Sequence, residues 1–73
     1  MRNITQIDLL IWMIENRTGD LLAGDIKEEV ADLLGVFRYQ STLWLALESA
    51  AVLFRNDALG MRVINAYMEA IKT

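Results

Sequence analysis

The sequence predicts an all-α fold, a small bundle of three to four helices that forms a single helical domain over residues 1–73. Apolar residues recur at intervals of three and four along nearly the whole chain, which is the spacing of one helix face. The chain has no proline to interrupt a helix, and no segment alternates apolar and polar residues over more than a few positions. A β-sheet is therefore not expected.

The first helix is expected from about Ile4 to Asn16. Either Asn3 with Gln6 or Thr5 with Asp8 has the spacing of a capping box at its start. The stripe expected to face the core repeats at helical spacing: Ile4, Ile7, Leu10, Ile11 and Ile14. Gly19 is expected to end this segment, and residues 20–24 fit either a loop or a short turn.

Three large apolar side chains of the first helix lie outside that stripe: Leu9, Trp12 and Met13. Trp12 falls on the line that is otherwise polar, and Trp and Met are enriched at protein interfaces. We therefore predict that these three residues form a contact with a partner protein or a second copy of the chain. The alternative is that Trp12 is buried inside the bundle, for example against the fourth helix.

The second helix is expected from Asp25 to Gly35, with Asp25 and Glu28 at capping-box spacing. Its apolar stripe is Ile26, Val30, Leu33 and Leu34. Four acidic residues share one face of this helix: Asp25, Glu28, Glu29 and Asp32. This acidic face is either a solvated surface or a docking surface for a basic patch on a partner, where charge would steer association.

The stretch 41–54, STLWLALESAAVLF, is apolar almost all round and has Glu48 as its only charge. Helices of this kind are usually buried. We expect it to be the central rod of the bundle, with Ser41 as N-cap and three large side chains in the core: Trp44, Leu47 and Val52. Its only polar line recurs every seven residues: Ser41, Glu48 and Arg55.

The fourth helix is expected to begin after Asn56 or Asp57, either of which can cap it. Its polar stripe is Arg62, Asn65, Glu69 and Lys72, and the rest of its circumference is largely apolar. Gly60 either permits a close approach or simply lowers helix stability by about 1 kcal/mol.

Composition argues against an enzyme and against a cofactor or metal site. The chain has no His and no Cys, so the usual general base, thiol nucleophile and zinc ligands are missing. Residues 16–27 have a superficial likeness to a calcium loop. They carry Leu21 and Lys27 where that loop needs Gly and Glu.

Charge and hydropathy argue against nucleic acid and membrane. Net charge is −3, with seven acids and three bases in residues 1–35 and three acids and four bases in residues 36–73. Neither half has the basic footprint of a nucleic-acid-binding protein. The longest apolar run, Leu9–Ile14, is too short for a signal peptide or a membrane span, so a cytoplasmic protein is expected.

Residues 30–36, VADLLGV, resemble the first helix and turn of a helix-turn-helix, with Ala31 and Gly35 four apart. That resemblance implies a small DNA-binding transcription regulator. The recognition helix would then be residues 42–47, TLWLAL, which offer no basic side chains for reading base edges.

A chain this short, with 55% hydrophobic residues, is expected to gain stability by self-association. We predict a homodimer or larger homo-oligomer that acts as a small regulatory or adaptor protein by binding a larger protein. Such an inhibitor or modulator would suit a phage or mobile element. The alternatives are the helix-turn-helix regulator and a structural subunit whose only task is assembly.

Overall fold

A computed structural model describes residues 5–16 and 23–72. These ranges form four helices and contain no strand, so the predicted all-α fold is confirmed: α1 (Gln6–Asn16), α2 (Ala23–Phe37), α3 (Gln40–Leu53) and α4 (Ala58–Lys72). Every pair of these helices is in contact, and their buried side chains form one hydrophobic cluster. The expectations for Asn3, Ile4 and Gly19 lie outside the described residues.

Two of the predicted caps are present. At the start of α1, Thr5 Oγ1 accepts a hydrogen bond from the Asp8 N–H at 3.1 Å, and Asp8 Oδ2 accepts from the Thr5 N–H at 3.4 Å. At the start of α4, Asp57 Oδ1 accepts from the Gly60 N–H at 3.0 Å. Each cap satisfies backbone donors that have no partner within the helix.

Both boundaries predicted between α2 and α3 are wrong. Gly35 does not end α2, because the helix continues to Phe37 and the Arg38 N–H still reaches Leu34 O at 2.8 Å. Arg38 then adopts φ 68°, so an arginine takes the left-handed position where glycine is usual. The N-cap of α3 is Tyr39, which makes no side-chain cap bond, and Ser41 lies inside the first turn.

The start of α2 also differs from the prediction. The helix begins at Ala23, so Asp25 lies in its first turn and is not the N-cap. Its apolar stripe is confirmed, with Ile26, Val30 and Leu33 buried and Leu34 partly buried against the core. In α1, by contrast, Ile7 does not belong to the buried stripe, because its side chain is 45% exposed near the start of the helix.

The prediction that residues 41–54 form a central buried rod is wrong. One face of α3 is buried, through Leu43, Ala46, Leu47, Ala50 and the following Phe54. The opposite face carries Leu45, Val52 and Leu53, whose side chains are 62%, 66% and 68% exposed. The three other helices that the structure describes cover α3 from one side, although its sequence is apolar on both.

Gly60 allows another part of the chain to approach its backbone closely, which is one of the two roles predicted for it. A Cβ added at Gly60 would lie 2.7 Å from Phe54 Cδ1, a distance at which atoms must move apart. Phe54 is the C-cap residue of α3, and its ring therefore packs directly on the backbone of the first turn of α4. Gly35 differs, because nothing lies within 4 Å of the position where its Cβ would be.

We predict opposite effects for alanine at these two glycines. Gly35→Ala should raise the free energy of unfolding by about 0.5–1 kcal/mol, because alanine favours a helix and the site is open. Gly60→Ala should lower it, since the methyl group meets the Phe54 ring. Urea unfolding measures both values, and a stabilised Gly60→Ala would contradict the packing described.

A second prediction contrasts the two faces of α3. Leu47→Ala should cost about 2–5 kcal/mol, because Leu47 is fully buried. Val52→Ala should change stability of the isolated chain by less than about 0.5 kcal/mol, because Val52 is exposed. Unfolding is best measured at the lowest practical concentration; a large loss at Val52 that persists on dilution would place it in the core.

Candidate protein-binding surfaces

The predicted interface residues of α1 are not equally exposed. Trp12 is 61% exposed and points away from the buried Leu10 and Ile14. Leu9 is partly buried, and Met13 is partly buried with its side chain packed against the core. The three residues therefore do not form one open patch, and Trp12 is the member that is free to contact another protein.

The acidic face of α2 is divided in the same way. Asp25, Glu28 and Asp32 are exposed, whereas Glu29 is partly buried. Glu29 Oε2 accepts a hydrogen bond at 2.7 Å from the hydroxyl of Tyr67, which is itself only 1% exposed. Glu29 thus satisfies the polar tip of a core side chain and joins α2 to α4, while the other three carboxylates face solvent.

The outer face of α3, which we define as Leu45, Val52 and Leu53 with the small polar residues between them, carries more exposed large apolar side chains than any other described helix. Leu45 and Val52 are seven residues apart, so they lie on one line of the helix about 10 Å apart. Ser41 and Glu48 flank that line on one side, and the other side holds Thr42, Ser49 and Leu53.

A cleft of about 200 Å³ adjoins the outer face of α3 where α1 begins. Its lining combines apolar and small polar side chains: Gln6, Ile7, Phe37, Thr42, Leu45, Ala46 and Ser49. Gln6 Nε2 donates a hydrogen bond at 2.7 Å to Val36 O, which fixes the start of α1 against the end of α2. Two of its lining side chains, Leu45 and Ile7, are exposed, so the cleft is continuous with the outer face of α3.

Trp44 is not the core residue that was predicted. It is partly buried, and its indole Nε1 donates to Glu48 Oε1 at 2.6 Å. The Lys72 Nζ atom lies 5.6 Å from the centre of the ring, within the range of a cation–π contact. Trp44 therefore links α3 to the last turn of α4 at the edge of the core.

The residues that suggested a helix-turn-helix do not have the positions that the motif requires. Ala31 is exposed and so does not pack on the next helix, and Gly35 lies within α2 and makes no turn. The segment proposed for base reading, residues 42–47, alternates between the buried core and the outer face of α3.

No cluster of potential metal-binding side chains is found in the part of the chain that the structure describes. There, no group of three or more His, Cys, Asp or Glu side chains is close enough to hold a metal ion. None of the four helices described has both the length and the apolar content to span a membrane. Comparison with protein-family models, curated proteins and solved structures finds no match to this chain.

Sequence reasoning missed the outer face of α3, although one signal for it is present. Thr42, Leu45, Ser49 and Val52 follow the three-and-four spacing of a helix contact line. Small polar residues alternate with large apolar ones along that line, and Glu48 stands beside it. Such a pattern suits a surface that meets another helix better than it suits a permanently buried one.

Proposed function

We propose that this protein acts by binding other protein chains, as a small regulatory or adaptor protein that covers part of a larger partner and is itself homo-oligomeric. The observation that carries the proposal is the exposure of Leu45, Val52 and Leu53 on the outer face of α3. Single exposed apolar residues are ordinary, but monomeric proteins seldom expose large contiguous apolar patches.

Contact with another chain would remove the apolar outer face of α3 from water. Burying one Leu or Val side chain fully contributes about 1.5–3 kcal/mol relative to leaving it exposed. The three side chains of the outer face of α3 retain most of that free energy for association, because each is more than 60% exposed. Their removal from water by another chain is therefore a strong source of binding free energy.

Trp12 supports the same function from a second helix. Tryptophan is enriched among the residues that dominate binding energy at interfaces, and this one extends into solvent from α1. Asp25, Glu28 and Asp32 on α2 add an exposed negative surface that would favour approach to a basic partner. Partner binding and self-association can thus use different helices of the same small chain.

The test is affinity capture from cells that naturally produce the protein, using a tagged chain and chemical cross-linking before lysis. Wild type is compared with Trp12→Ser/Leu45→Ser/Val52→Ser, which makes position 12 and the Leu45–Val52 line of α3 polar. We expect the wild type to recover at least one larger protein and the triple variant to lose it, because these positions no longer offer apolar side chains to a partner.

Asn65→Ser is the matched control, since Asn65 is an exposed polar residue of α4. It should recover the same partner as the wild type. Circular dichroism of each variant checks that its helices are intact. Equal recovery by the wild type and the folded triple variant would refute the proposal, as would recovery of nothing beyond a tag-only control.

A further inference from the structure

We infer that a second copy of this chain binds the outer face of α3, with the two α3 helices antiparallel about a two-fold axis level with Ala51 and Val52. The inference rests on the proposed function in one respect, namely that this apolar face is a protein contact. It goes further by naming the occupant, the direction of the paired helices and the residues that meet.

The apolar part of the face is concentrated where that axis would pass. Val52 and Leu53 lie in the last turn of α3 and are the two most exposed large apolar side chains of this helix. In a two-fold contact both copies present the same patch, so Val52 and Leu53 of each copy cover Val52 and Leu53 of the other. Ser49, exposed one turn earlier, is small enough to leave space for Val52 of the second copy to approach the helix.

The charges beside this patch identify a second copy as its complement. Glu48 lies on one flank of the face, and Arg55 follows seven residues later in the sequence, in the turn just past the end of the helix. In the antiparallel arrangement Glu48 of each copy lies opposite Arg55 of the other, which gives two equivalent ion pairs.

A parallel pairing leaves both charges without a partner, because the same flank of two parallel helices lies on opposite sides of the contact. Like charges in these flanking positions disfavour a helix pairing and opposite charges select it. Glu48 uses Oε1 to accept from the Trp44 indole, and its carboxylate has a second oxygen that can accept from arginine. The charge pattern therefore sets the direction of the pair, while Val52 and Leu53 supply the apolar contact.

Charge reversal tests the ion pairs directly. By sedimentation equilibrium the wild type should approach twice the 8.3 kDa mass of one chain as concentration rises. Glu48→Arg and Arg55→Glu should each weaken the dimer about tenfold, because two attractive pairs become repulsive. The double variant Glu48→Arg/Arg55→Glu should restore the wild-type dissociation constant to within about threefold. It also lacks the Trp44 bond, so that bond cannot account for the rescue.

Single cysteines test the direction, since the chain has no cysteine of its own. Val52→Cys, close to the axis, should form a disulfide-linked dimer under mild oxidation. Ser41→Cys is the control on the same helix and flank; in the antiparallel pair its two copies are about 32 Å apart and should not link. Cross-linking at both positions would indicate the parallel pairing and overturn the inference.

Two further outcomes would overturn it. A wild type that remains monomeric at every concentration would mean that another part of this chain or a different protein covers the face. The capture experiment would still decide the proposed function in that case. A dimer that is unaffected by both single charge reversals would place the contact elsewhere, for example at Trp12. If one charge reversal unfolds the chain, the other charge reversal and the two cysteine variants test the proposed dimer in its place.

Discussion

The contact between the Phe54 ring and the backbone of Gly60 is the interaction on which the arrangement of the helices depends. Phe54 ends α3, with its N–H bonded to Ala50 O at 2.9 Å, and its carbonyl accepts from the Asp57 N–H at 2.8 Å. Asp57 then caps α4 through Gly60. One tight turn thus fixes where α4 begins and how closely its first turn approaches α3.

The direction that this turn gives to α4 determines which side chains reach the core. Val63, Ile64 and Tyr67 are at most 1% exposed, and α4 contacts all three other helices. Tyr67 also brings a hydroxyl to the edge of the core, and this hydroxyl donates a hydrogen bond of 2.7 Å to the Glu29 carboxylate. A buried hydroxyl without a partner is costly, so this bond between helices distant in sequence is part of the packing.

Some local features of the fold could be predicted from the sequence, although the helix ends at Asp25, Gly35 and Ser41 were not among them, and features that depend on neighbouring helices could not. The Thr5–Asp8 box, the Asp57 cap and the apolar stripe of α2 follow from residues three or four apart. The exposure of Val52 depends on how many helices surround α3, which its own apolar sequence does not encode. The bond between Glu29 and Tyr67 joins residues 38 apart, so no local pattern indicates it. Of the candidate surfaces, the position of Trp12 opposite the core stripe follows from periodicity, whereas the apolar sequence of α3 predicts that its outer face is part of the core.

The shortness of α1 has a consequence for how the molecule opens. This helix buries only Leu10 and Ile14, and its start is held to α2 by the side-chain bond from Gln6 to Val36. Proteins open in cooperative units, and the unit with the fewest buried contacts opens at the lowest free energy. α1 is that unit among the described helices. Its backbone amides should therefore exchange with solvent before those of α4, and each opening uncovers Phe37 and Ala46 at the floor of the cleft.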